Sequence, residues 1–292
     1  MIQPEFLLFE LTAYALFAAC LWHASRQGVT RVLELAFGVP YGVFLEWMTI
    51  QQLQAYTYGQ FLVMFDGAPL TIGIGWAVIV YSAMAFTRRF AMPNYLRPVM
   101  NGLLALNIDL AMDAVAIRIG FWRWDNVPLD AEWFGVPWAN FWAWFIVVSA
   151  YSAMLHFFRD QGWREHPVRR WLYVPLACLA SVGILAAVNV FYAFTFSPVG
   201  LDILSMVVLI GANLILVIHA RPRLAHTGGF DGIVFAVPLI FHLYFNLLGF
   251  THGFYADVPA IGIVGVAMMV IGLGVHLWPV WAARTTRSAR PA

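Results

Sequence analysis

Apolar runs long enough to cross a bilayer follow one another almost without interruption along the 292 residues, broken by short polar or glycine- and proline-containing segments. Hydropathy and breakers predict helices near 5–24, 33–53, 69–87, 99–119, 137–157, 171–195, 202–219, 231–250 and 258–282. Each approaches the roughly 20 residues that a helix needs to span the hydrocarbon core. The expected fold is all-α: a polytopic transmembrane helix bundle of about nine spans. It forms one domain over residues 1–283, followed by a disordered basic tail over 284–292. No internal repeat or long linker interrupts it.

Charge gives the pattern a direction. Arg26 and Arg31 follow the first span, Arg88, Arg89 and Arg97 the third, and Arg159, Arg164, Arg169 and Arg170 the fifth. Arg221 and Arg223 follow the seventh, and Arg284, Arg287 and Arg290 the ninth. The intervening connections lack basic residues or are acidic, as with Asp125, Asp130 and Glu132. Basic connections face the cytoplasm, which places the N-terminus outside and the C-terminus inside a cell membrane. Only Arg118 and Arg123 of the sixteen arginines fall on the outer side.

Composition narrows the chemistry. Hydrophobic residues make up 62% of the chain, charged residues 11%, and mean hydropathy is +0.77, which excludes a soluble domain of any size. The net charge of +1 gives no reason to expect a nucleic-acid partner. There is no lysine, so Schiff-base chemistry is excluded. Cys20 and Cys178 fall in different predicted spans and read as small buried residues, without a disulfide or metal role. Met1-Ile-Gln-Pro-Glu5 has no basic region of the kind that opens a signal peptide.

Against this background Asp109 and Asp113 stand out. They lie four residues apart in the fourth span, on one helical face. Charge at that depth is costly, and such groups commonly face a bundle interior and serve a function. At 1.5 Å rise per residue, Asp109 lies near the midplane, Asp113 about 6 Å beyond it, and Glu46 of the second span roughly 5 Å to the same side. Asn140, Asn189, His242 and Asn246 fall in that outer layer too. Glu10 also does, close enough to the interface to be solvated. The shared layer predicts a site. Each member also has a structural reading: the amides can bridge helices, and His242 can be a satisfied core histidine. Gly38-Val-Pro-Tyr-Gly42 has the spacing of close helix packing near a proline. Phe121-Trp122-Arg123-Trp124-Asp125 suits an interfacial belt or the mouth of a pocket for a flat conjugated ligand.

A carboxylic acid walled by apolar and aromatic groups resists ionisation, and a neighbouring carboxyl reinforces this. It can then protonate a carbon–carbon double bond. Aromatic faces stabilise the resulting tertiary cation, and a second carboxylate can orient or deprotonate the water that adds to it. Such a hydration needs no metal or other cofactor; without water the same acid would give isomerisation or cyclisation.

The ordered set Asp109-Leu-Ala-Met-Asp-Ala-Val-Ala116, Gly120-Phe-Trp-Arg-Trp124, Phe134-Gly-Val-Pro-Trp-Ala-Asn-Phe141 and Trp144 resembles the membrane carotenoid-biosynthesis family that contains the carotenoid hydratases. Glu46, Tyr56-Thr-Tyr-Gly59, Gly67-Ala-Pro69 and Trp76 are similar to its preceding block, so the resemblance spans about residues 40–150. It implies a hydratase adding water across the terminal isopropylidene double bond of an acyclic carotenoid. The partners would be that carotenoid, water, membrane lipid and, as an open possibility, other enzymes of the pathway. The chain departs from the family pattern at Ala114, where proline is usual, and at Trp47-Met-Thr-Ile-Gln-Gln52, where glycine is frequent. The expected catalytic carboxyls are Asp109, Asp113 and Glu46. Tyr58 and Asn140 are expected to orient the substrate, Trp122, Trp124 and Trp144 to wall it, and His242 and Asn246 to complete its pocket.

Two other readings stay open. Asn107-x-Asp109-x-x-x-Asp113 echoes the first aspartate motif of intramembrane prenyltransferases, which hold a diphosphate through magnesium. The second motif is missing: Asp202, Asp231 and Asp257 are solitary. A carrier could instead use the aspartates as a proton relay.

Overall fold

The computed structural model describes residues 3–125, 127–197, 200–225 and 230–288. Within them the chain forms α1 (Pro4–Ser25), α2 (Val29–Leu53), α3 (Leu70–Thr87), α4 (Leu96–Ile119), α5 (Trp138–Asp160), α6 (Arg169–Thr195), α7 (Asp202–Ala220), α8 (Gly232–Thr251), the single turn α9 (Phe254–Asp257) and α10 (Pro259–Ser288). Six strands of two or three residues lie in the connections: β1 (Tyr56–Tyr58), β2 (Met64–Phe65), β3 (Ala68–Pro69), β4 (Phe90–Ala91), β5 (Trp122–Trp124) and β6 (Arg223–Leu224). Every expected span coincides with a long helix. α10 continues past 282 through residues 284–288, where the disordered tail was expected to begin; residues 289–292 lie outside the described residues.

Seven of the described helices are long and apolar enough to cross a membrane, so the chain is a multi-pass membrane protein. α2 and α4 match them in length, but their acidic and basic residues hold them below that apolarity. α3 is hydrophobic all round and almost wholly buried, as suits a helix surrounded by others. It packs most closely on α2. A Cβ on Gly38 would come within 2.9 Å of Ala77 Cβ, and one on Gly42 within 2.8 Å of Trp76 Cβ. The Gly38–Gly42 spacing therefore does record close approach, next to Pro40 within the helix. Cys20 and Cys178 are free thiols on separate helices.

The connections sort into two groups. Arg88, after α3, donates to Gln27 after α1 at 3.0 Å; Arg164, after α5, reaches Thr30 at 3.1 Å; and β4 pairs with β6, joining the connections after α3 and α7. The connections after α2 and α4 meet instead through antiparallel β1 and β5. His252, after α8, lies 3.4 Å from Glu5 at the start of α1. Basic connections gather with basic connections, and acidic ones meet one another elsewhere.

At the basic end the chemistry is denser than charge counting suggests. Glu34 of α2 is buried and accepts from Arg31 at 2.7 Å, Arg159 Nε at 2.9 Å and the Tyr173 hydroxyl at 2.5 Å, while Tyr151 donates to its carbonyl. One carboxylate thus ties α2, α5 and α6 together. Removing one partner of a buried ion pair typically costs about 3–5 kcal/mol, because the remaining charge is left uncompensated. Glu34→Ala is expected to lower the thermal midpoint in detergent sharply, and Glu34→Asp to recover part of the loss. A reporter active only in the cytoplasm should work when fused after residue 288 and fail when inserted near Gln60.

Candidate functional site

The acidic end carries the site. α4 stops at Gly120, whose φ of +85° turns the chain out of the helix and into β5. Arg118, one of the two arginines that break the charge pattern, donates to the carbonyls of Ala114 and Phe134 at 2.8 Å and of Leu129 at 3.0 Å. It fastens the loop after α4 back onto the helix, and so sets where α5 begins.

β1 and β5 pair with Tyr56 opposite Trp124 and Tyr58 opposite Trp122. Residues two apart on a strand share a face, so two phenols and two indoles form one aromatic surface. Ring centroids lie 4.7 Å apart for Tyr56–Trp124 and 5.9 Å for Tyr58–Trp122. Glu46 of α2 lies beneath it and accepts three hydrogen bonds: from the Tyr56 hydroxyl at 2.5 Å, the Tyr58 hydroxyl at 2.7 Å and Trp76 Nε1 at 2.7 Å. Burial pushes both phenols well above their ordinary pKa, and the adjacent Glu46 carboxylate adds to this, so both remain donors at neutral pH.

Asp109 and Asp113 are buried across from this group. A single amide serves both: Asn140 Nδ2 lies 2.7 Å from Asp113 Oδ2 and 3.4 Å from Asp109 Oδ2. The Oδ1 atoms of both aspartates are buried with no hydrogen-bond partner among the described residues. The carboxyl groups therefore sit in two different environments. Glu46 accepts from three donors, and the aspartates share one amide donor.

An apolar cavity of about 620 Å³ connects them. Glu46, Tyr56, Tyr58, Asp113, Trp122, Trp124, Asn140, Trp144 and Asn189 all line it. Trp76 and Trp144 close the wall between the carboxyls, with ring centroids 4.1 Å apart. Asp109 is not among the residues that line the cavity; it adjoins two that are, Asp113 and Asn140.

Three of the predicted polar groups lie elsewhere. His242 Nε2 is 3.0 Å from Asn107 Oδ1, and Asn246 donates to the carbonyls of His242 and Gly265 while accepting from Tyr255. Neither lines the cavity: Phe241 is the α8 residue that does, and the next positions around the helix face α4 and α10. They join helices rather than complete the pocket. Glu10, expected to be solvated, is fully buried and is held by the Leu62 N–H at 3.0 Å and the Thr71 hydroxyl at 3.1 Å. The loop that folds over it is not visible in the sequence.

Tyr56, Trp76 and Trp142 belong to the cavity without having been assigned to it. The alternation Tyr56-Thr-Tyr58 was a usable signal, since it mirrors Trp122-Arg-Trp124. Nothing local marked Trp142. Among the described residues, no three His, Cys, Asp or Glu side chains are grouped to hold a metal ion.

Residues 6–209 match the family model described as carotenoid biosynthesis protein, well beyond the block over 40–150. No curated protein and no solved structure matches the chain. Asn246→Ala is expected to lower the thermal midpoint, since leaving its partners unpaired costs about 1–3 kcal/mol. The same variant is expected to retain, and Asn140→Leu to lose, any conversion of carotenoid pigment by the protein, which chromatography of extracted pigments would reveal.

Proposed function

The chain belongs to the carotenoid biosynthesis protein family, and from that premise we propose that it is a hydratase of acyclic carotenoids, working in the cell membrane. The observation that carries this reading is the pair of differently bonded carboxyl sites facing one apolar, tryptophan-walled cavity.

Asp113, the aspartate that lines the cavity, is the acid. Its proton goes to the secondary carbon of the terminal isopropylidene double bond, and the electron pair of that bond forms the new C–H bond. This leaves a tertiary cation between Trp76, Trp122 and Trp144, whose faces stabilise it. Glu46, with three donors directed at it, lends further electrostatic stabilisation. Water adds its oxygen to the cation and loses a proton to Glu46, and that proton returns to Asp113 to reset the site. The reaction consumes one water and gives a tertiary alcohol, with no net change in redox state. Asn140 orients Asp113 and keeps the aspartate pair in one geometry, with Asp109 as the adjoining carboxyl.

The test is pigment analysis by mass spectrometry in cells that accumulate an acyclic carotenoid. Expression of the chain should give a product heavier by one water. Asp113→Asn and Asp109→Asn should each abolish it while the protein still inserts in the membrane. Full conversion by Asp113→Asn would remove the acid from the mechanism, and a product enlarged by a prenyl unit would replace the hydratase with a transferase. Tyr58→Phe deletes one donor to Glu46 and should lower kcat by roughly 10²-fold with little change in KM, the pattern of a group that acts through charge in the transition state.

A further inference from the structure

The floor of the cavity is closed by buried residues of four helices: Phe9 of α1, Trp76 of α3, Met112 of α4 and Phe241 of α8. Its other side is not closed. Ala186, Val190, Ala193 and Phe194 of α6 line the cavity and are also exposed, Val190 at 58% and Phe194 at 81%. Val190 follows Ala186 by four residues, and Ala193 and Phe194 follow Val190 by three and four, so they form one stripe along the outer half of the helix. Ala139 and Ala143 of α5 line the cavity too, next to Trp142, whose ring packs on Tyr192 of α6 at 5.6 Å. α6 is among the helices apolar enough to span a membrane, and only 22% of its apolar window is buried. The opening therefore lies in the side of the bundle, toward hydrocarbon.

Two further observations bear on what passes through it. The indole N–H groups of Trp124 and Trp142 are buried at the cavity wall without an acceptor among the described residues. A donor left without a partner in an apolar wall is costly, and the π-face of a conjugated chain is an acceptor for it. The volume, about 620 Å³, is that of a site for a drug-sized molecule, roughly 300–1,000 Å³. A linear polyene of many isoprene units exceeds such a site, so its remainder has to stay outside. The exposed apolar surface of α6 is available for it.

We propose that residues 186–194 of α6 form a lateral mouth through which one end of a linear polyene passes from the bilayer core to the carboxyls, with the rest of the chain remaining in lipid. The inference rests on the hydratase reading for the nature of its ligand, but binding at the mouth is separable from the reaction. α6 is suited to the role because it is fixed away from the mouth, where Tyr173 donates to Glu34. Within the mouth, Tyr192 lines the cavity and donates to Asp202 at the start of α7.

The experiment labels single cysteines in vesicles. Cys20 and Cys178 are replaced by serine, and Val190→Cys, Ala193→Cys and, on the outer face of α7, Ile215→Cys are introduced singly. All three should react with a lipid-soluble maleimide and resist a sulfonated one. Adding an acyclic polyene at about ten times its Kd should slow labelling at 190 and 193 about tenfold by mass action, and leave 215 unchanged. The same protection should persist in Asp113→Asn, which binds without turning over. Protection without any hydrated product would keep the mouth and overturn the hydratase; hydrated product with no protection at 190 and 193, or with equal slowing at 215, would overturn the mouth. Ala193→Trp, which narrows the opening, should reduce kcat/KM for the polyene more than kcat at saturating pigment.

Discussion

A carboxyl group inside an apolar bundle cannot look to solvent for partners, so every donor it needs has to come from the protein. The site is arranged around that constraint at Glu46. Its three donors come from a helix and from a strand in a connecting loop, which means that α2, α3 and β1 must all be in place before the carboxylate is accommodated. β1 in turn is held by β5, and β5 emerges at a left-handed glycine from the helix that carries the aspartates. The chain of dependence runs from one buried charge to the geometry of a whole end of the bundle.

The same constraint explains the contrast between the two ends. Glu34 is satisfied by arginines and a tyrosine, and the result is a closed ion-pair cluster that binds three helices together. Glu46 is satisfied by neutral donors, and the aspartates are satisfied only in part. A fully compensated charge is a structural tie. A partly compensated one, facing a cavity, retains the capacity to exchange a proton with whatever occupies it.

Aromatic residues serve both functions at the reactive end. They supply donors to the carboxylate through Tyr56, Tyr58 and Trp76, and they supply polarisable walls through Trp122, Trp124 and Trp144. This economy follows from amphipathic rings, which present one polar atom on a large apolar body. It also explains why so many of the aromatic residues in residues 56–144 converge on one volume instead of forming an even belt.

The sequence by itself determined the helices, because a membrane span must satisfy its own backbone and is therefore written as a continuous local run. It also predicted a shared layer for Asp109, Asp113, Glu46 and Asn140, since depth follows from position along a helix of known rise. It could not determine which way each helix turns its faces. Rotation about the axis is fixed by packing against neighbours, and that is why His242 and Asn246 share the depth of the site but bond to other helices, while Phe241 faces the cavity. The connections were less legible still. That Tyr56 and Tyr58 both reach Glu46, that Leu62 covers Glu10, and that α6 leaves an opening beside Trp142 are all outcomes of contacts between residues distant in the chain. Tertiary structure alone decided these, because no local period encodes the direction of a side chain across a gap between separately formed elements.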